Sequence, residues 1–512
     1  MSKAKIRTLL ILLGVLAAVC VAAFCISRHE EKQEEIRTSD EIILTIPTDS
    51  VTALSWEYGD TALGFHRDDD GWKWDDDEAF PVDGDKVDAL LEQFASFGVA
   101  FAIDNVTDYA QYGLDEPTAV IRITTEDGEQ ELKLGTFSTM DEERYITLGE
   151  DKVYLASHDP LEEYDVTISD LILHDTMPTL SEADDIVFTG SQDYEITRDE
   201  ESDLSWCDDD VYFTEEKPLS TSAVSSFLKS ATGLTLSDYV SYNVTEEELE
   251  AYGLATPELT IAITYTVTEK GEDGEEDTTR EESLTLHVGR NQEEISAAEA
   301  TAEESGEEPD LSGVTCYARV GESQIVYEIT ASAYEKLMAN SYDDLRHQEI
   351  CTVSMDDVTR MDVTLEGETY TLSAVTDEEG NRTWYLGDVP AAEETATDDA
   401  DAETAETPAT EDTEDAEATS EADAAQEVSI SGISSALSAL KATSFVDEAD
   451  PGREEISITL SLSKEAWPQV TVTLYRVDGS SCLAKVNGQV VAYVDRDQVV
   501  DLVEAVNQIV LN

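Results

Sequence analysis

A helix-entry signature that occurs three times constrains this chain more than any other feature. Val87, Leu90, Leu91, Phe94 and Phe97 form the first apolar set; Val224, Phe227, Leu228, Ala231 and Leu234 the second; Ile433, Ala436, Leu437, Leu440 and, imperfectly, Thr443 the third. Each set is one face of an amphipathic helix. Asp83, Ser220 and Ser429 stand four positions before the first apolar residue, where a side-chain oxygen can accept an orphan backbone N–H. Val82, Leu219 and Val428 precede those caps as the outer half of a hydrophobic staple. Three helix entries with the same wording predict three related units.

The flanks repeat as well. Each helix follows a tryptophan-bearing segment, around Trp72, Trp206 and Trp384, preceded by alternating residues that read as strands, and the tryptophans read as core. After the first two helices come NVTDYAQYGLDEP and NVTEEELEAYGLATP. Thr107 and Thr245 are positioned to cap a short helix, with Glu248 completing a capping box. Gly113 and Gly253 then stop it in a left-handed conformation, Leu114 and Leu254 fold back, and Pro117 and Pro257 prevent continuation. Strand pairs follow, AVIRITT with QELKLG and LTIAITYTV with ESLTLHVG. The third unit lacks this block but keeps strands and a last helix near residues 499–509. The predicted fold class is α+β: an N-terminal transmembrane helix, then three related units, each an antiparallel sheet with an amphipathic helix.

In these blocks the chain resembles the bacterial domain-of-unknown-function family 4340 (DUF4340). The resemblance is carried by Trp72, the Val87 helix, Tyr112, Gly113, Leu114, Pro117 and Val153-Tyr154, and again by Trp206, the Val224 helix, Tyr252, Gly253, Leu254, Pro257 and Val326-Tyr327. It covers the third unit only in part. It implies an envelope location and association with ABC-type export or gliding-motility-like transport systems, and it supplies no catalytic residue.

The compartment follows from the N-terminus. Lys3, Lys5 and Arg7 precede an uncharged run at 8–26, long enough to span a bilayer. The basic residues lie on one side, so the N-terminus is expected in the cytoplasm and the rest outside, on a single-pass anchor. A cleaved signal peptide is the competing reading, with Val21-Ala22-Ala23 as a mediocre site. The expected organisation is an anchor at 1–28, a stalk at 29–45, and units at 46–178, 179–350 and 351–512. Residues 391–425, almost only Ala, Glu, Asp and Thr, read as a disordered insertion in the third.

Charge narrows the partners. Thirty Lys plus Arg against 116 Asp plus Glu give a formal charge of −86 over 512 residues. Nucleic acid is excluded as a partner, because its affinity comes from clustered Lys and Arg. Membrane contact is expected through the N-terminal helix only, a protein partner in the membrane or envelope is expected, and divalent cations would gather diffusely over the acidic surface.

The sequence nominates no catalytic, cofactor or metal residue. Acidic triplets at 68–70, 75–77 and 208–210 lack the EF-hand spacing and read as solvated turns. Ser226 and Lys229 form an SxxK without its companion motifs, on the helix face opposite the core. Cys207, Cys316, Cys351 and Cys482 form no CxxC pair, and the six histidines share no motif. The functional expectation is therefore a membrane-anchored extracytoplasmic scaffold or accessory protein. The alternatives are a cell-wall-acting enzyme using converging carboxylates and a cation-binding surface protein.

Overall fold

The computed structural model describes residues 41–139, 142–149, 151–271, 277–377, 379–388 and 426–511. The apolar run at 8–26 and the acidic insertion at 391–425 lie outside the described residues. Among the described residues, no helix is long and apolar enough to cross a membrane.

The strands of the described residues form three antiparallel sheets of nine strands each, and each sheet covers its own apolar core. The first is built from β1 (Glu41–Leu44), β2 (Val51–Tyr58), β3 (Thr61–Asp68), β4 (Gly71–Trp74), β5 (Phe97–Ile103), β6 (Ala119–Thr125), β7 (Gly128–Ser138), β8 (Glu143–Thr147) and β9 (Val153–Ala156). Their order across the sheet is β1-β5-β9-β8-β7-β6-β2-β3-β4. A three-stranded meander leads to the edge at β4. Helix α1 (Gly84–Glu92) then carries the chain to the far side, and a four-stranded meander from β6 to β9 fills the space between.

The second sheet repeats the order from β5 to β4 as Tyr239–Ser241, Val326–Ile329, Cys316–Val320, Thr278–Arg290, Leu259–Glu269, Asp185–Gly190, Tyr194–Arg198 and Tyr212–Thr214. The third repeats it again, with Val358–Leu365 and Arg453–Leu462 as its central pair. The ninth strand differs. In the first sheet it is β1 beside β5, whereas in the others it is a three-residue strand just before the helix, Lys217–Leu219 or Gln426–Val428. By compactness the chain forms two units: Met1–Thr176 with Leu236–Leu249 and Glu322–Glu328, and Met177–Thr235 with Glu250–Gly321 and Ile329–Asn512.

The repeated helices bury the faces their spacing predicts. Val87, Leu90 and Leu91 of α1 pack with Trp56, Phe65 and Ile121 of the sheet. The Tyr164 hydroxyl donates to the Leu90 carbonyl at 3.1 Å near the helix end, satisfying an acceptor that the helix leaves open. Helix α2 (Thr221–Thr232) buries Val224, Phe227, Leu228 and Ala231, and α3 (Ser431–Ala439) buries Ile433 and Leu437. A last helix, α4 (Arg496–Val510), lies against α3 and buries Val499, Leu502, Val506 and Ile509. Asp83 and Ser220 accept from the backbone N–H of Lys86 and Ala223, as N-caps do.

Several sequence expectations are corrected. Phe97 opens β5 and does not extend α1; it is fully buried either way, so face periodicity cannot distinguish the two, and Gly98 disfavours a helix there. Leu234 follows the terminating Gly233 and reaches the core from a loop, while Thr443 lies on a strand. Ser429 does not cap the third helix. Pairing of Val428 with Trp384 holds Gln426–Val428 in a strand, so α3 starts at Ser431 after Ile430, and the Ser429 hydroxyl meets that of Ser431. Thr107 caps no α-helix, because a 3₁₀ turn at Ala110–Tyr112 takes its place and Asp108 accepts from the Ala110 N–H. The acidic stretch 293–310 is largely the helix Gln292–Ser305; Asn291 accepts from the backbone N–H groups of Glu293 and Glu294, and acidic residues suit its first turn.

Candidate functional site

The repeated motif residues are engaged in holding their own sheets. Gly113 and Gly253 take φ of +66° and +70°, and Leu114 and Leu254 behind them are 4% exposed. Each turn presses on a strand glycine. A Cβ on Gly135 would sit 2.2 Å from the Tyr112 carbonyl oxygen, and one on Gly289 would sit 2.5 Å from that of Gly253. Tyr112 packs on Tyr145 and Tyr252 on Tyr317, with ring centroids 5.0 and 4.6 Å apart. Pro117 and Pro257 stand two residues ahead of the strands at Ala119 and Leu259. Thr245 and Glu248 form the predicted capping box.

A bidentate ion pair stands beside each strand glycine. Arg144 meets both Asp159 oxygens at 2.7 Å and also donates to the Gly135 carbonyl, while Arg290 meets Glu258 at 2.8 and 2.9 Å. Tyr109 and Leu114 of the first block, with Glu131 and Lys133 of β7 and Thr147 and Gly149, line a cleft of about 410 Å³. Lys133 is paired with Glu131 at 3.3 Å there.

The tryptophans divide. Trp72 and Trp384 are buried strand residues, and the Trp72 indole donates to Asp88 at 2.8 Å. Trp206 is half-buried in the loop between Tyr194–Arg198 and Tyr212–Thr214 and is not a strand residue. Tyr212 fills the strand position, paired opposite Leu219 as Trp384 is opposite Val428.

The first two acidic triplets hold a turn and neighbouring side chains, with Asp68 accepting from the Asp70 N–H, Asp75 from His66, and Asp77 from the Tyr242 hydroxyl; the third departs from the solvated turn its sequence suggests, because Asp210 is buried. Ser226 and Lys229 lie on the exposed face of α2, and the Ser226 hydroxyl donates to the Ser222 carbonyl. His158 packs on Phe97, His174 on Tyr327, and His287 meets Thr260.

Sequence spacing missed one convergence. Cys207 and Asp210, in the loop before Tyr212–Thr214, meet His347, which follows the short helix Tyr342–Leu345. Their ligand atoms all lie within 4.8 Å of one another. His347 Nε2 is 2.6 Å from Asp210 Oδ1, and the Ser205 hydroxyl donates to Asp210 Oδ2 at 2.7 Å. The Asp210 side chain is 1% exposed and His347 23%. Burial, followed by the neighbouring Asp210 carboxylate, pushes the Cys207 thiol up to about 11, so the free thiol stays protonated at neutral pH. Trp206 and Trp467 stack edge to face beside the cluster, with centroids 5.2 Å apart. Lys464 donates to the Trp206 carbonyl and pairs with Asp208 and Asp357. The spacing of Cys207 and Asp210 was the only signal in the sequence; His347 lies 137 residues further on.

Residues 72–200 and 213–456 match the family described as Domain of unknown function (DUF4340). The chain belongs to this family. In this DUF4340 protein the matched stretches contain both YGL blocks and the helices α1, α2 and α3, while β1, β2 and β3 of the first sheet precede them. The loop bearing Cys207 and Asp210 falls between them. No curated protein and no solved structure matches the chain.

Proposed function

We propose that this DUF4340 protein is a membrane-anchored extracytoplasmic scaffold or accessory subunit, held by the run at 8–26 and serving a transport or envelope complex. The observation that supports this reading is the use made of the repeated motif. Gly113, Leu114, Gly253 and Leu254 lock turns onto the strand glycines of their own sheets, so the most repeated residues encode architecture and not chemistry. Asp159 and Glu258 are likewise committed to arginines, which leaves neither free for acid–base work on a cell-wall substrate. The link to ABC-type transport rests on what the family resemblance implies. The reading is supported by the basic residues Lys3, Lys5 and Arg7 ahead of the uncharged run, the charge pattern of an anchor whose N-terminus stays inside.

Crosslinking in intact cells, followed by purification of the full-length protein and mass spectrometry, tests the proposal. Recovery of a permease or another envelope component at reproducible stoichiometry is expected. Recovery of the protein alone, or protection of the sheets from protease added to cells whose outer layers have been removed, would overturn it.

A further inference from the structure

Cys207, Asp210 and His347 bring together a sulfur, an oxygen and a nitrogen ligand from two separated segments. We propose that these three residues form a binding site for a zinc-like divalent transition-metal ion. Three observations carry the inference. The donor set is mixed thiolate, carboxylate and imidazole, which suits Zn²⁺ and its neighbours and does not suit Ca²⁺ or Mg²⁺. The carboxylate is shielded from water and oriented from behind by Ser205, as outer-shell partners orient metal ligands. Finally, the loop at 199–211 that supplies Cys207 and Asp210 replaces a two-residue turn at the same place in the first sheet, between Asp68 and Gly71. Cys207 and Asp210 lie between the matched family stretches, and His347 lies within the second.

The geometry needs only small shifts. In a tetrahedral zinc site with bonds of 2.0 to 2.3 Å the ligand atoms stand about 3.3 to 3.8 Å apart. The donors here lie within 4.8 Å of one another, and the 2.6 Å contact of His347 with Asp210 opens as the metal takes the place of the hydrogen between them. The Cys207 thiol gives its proton to solvent. His347 binds through Nε2, which leaves its other ring nitrogen as N–H. Part of His347 is exposed, so a fourth position can hold water. Lys464, which meets this loop at the Trp206 carbonyl, is engaged by Asp208 and Asp357.

Cobalt is the probe, because a diffuse cation atmosphere on so acidic a chain cannot produce a thiolate-to-cobalt charge-transfer band. Purified full-length protein titrated with Co²⁺ is expected to show that band at one equivalent, and one equivalent of Zn²⁺ should remove it. Cys207→Ser should abolish the band, while Cys316→Ser and Cys482→Ser keep it. Ser205→Ala should weaken binding about ten- to a hundredfold. A measurement on unaltered protein guards against misfolded variants: Zn²⁺ should slow alkylation of Cys207, followed by mass spectrometry, and a chelator should restore it. Absence of the band, its persistence in Cys207→Ser, or Cys207 alkylation that Zn²⁺ leaves unchanged would each overturn the proposal.

Discussion

Replacing Gly135 with alanine should destabilise the first sheet by about 3 kcal/mol, a cost set by one backbone contact. Gly135 lies in β7 directly under the YGL turn. An added Cβ would stand 2.2 Å from the Tyr112 carbonyl oxygen and 2.9 Å from Leu114 Cγ. The strand cannot retreat easily, because the Gly135 carbonyl is held by Arg144 at 2.7 Å and by the Thr118 hydroxyl at 3.2 Å. The turn must therefore lift. Overpacking of this kind costs about 1–3 kcal/mol. Part of the roughly 1.5–3 kcal/mol from burying Leu114 goes with it, offset by the 0.5–1 kcal/mol or so that alanine gains over glycine in a strand. Gly289→Ala should behave alike, since its Cβ would meet the Gly253 oxygen at 2.5 Å. Gly479, with nothing within 4 Å of an added Cβ, is the control and should change stability by less than about 0.5 kcal/mol. Urea unfolding gives the size of the effect, and hydrogen exchange of the amides at 109–114 and 128–138 locates it. A Gly135→Ala protein that unfolds within about 0.5 kcal/mol of the parent, with those amides equally protected, would refute the reasoning.

Asp159→Ala should cost about 3–5 kcal/mol in the same assay, because it strands the largely buried Arg144 without its bidentate partner. Tyr164→Phe, which removes only the hydrogen bond to the Leu90 carbonyl, should cost about 1 kcal/mol. The Thr167 hydroxyl and backbone N–H hold the Asp170 carboxyl below the usual carboxylate range. Its contribution is thus complete above the unfolded value near 3.9 and is lost as pH falls through the lower folded value. Asp170→Asn should then cost only about 0.5 kcal/mol at pH 7, because the exposed carboxylate is screened by solvent, and urea midpoints of the two proteins should converge in acid; a constant gap down to pH 2 would count against the assignment. Leu386 pairs directly with Gln426, so a short turn can replace residues 391–425 with the third sheet retained, as circular dichroism would report. Loss of the sheet would contradict the passive loop that its composition implies.

Much of the architecture was legible because it is local. Cap, staple and apolar spacing act within a dozen residues, so the helices at Val87 and Val224 and the Thr245 capping box follow from neighbours in the chain. Errors arose where a distant partner decided. The ladder between Val428 and Trp384 kept Ser429 from capping α3, and strand pairing claimed Phe97 from the helix. The sequence by itself determined that three units recur, that glycine must end each YGL turn, and that the surface repels polyanions. Only the tertiary structure decided what those glycines touch, because Gly135 and Gly289 meet their turns through the pairing of the strand after each turn with the strand that bears the glycine. It alone also brought His347 to Cys207 and Asp210, since a contact across 137 residues depends on how sheets and linkers pack and leaves no periodicity in the chain.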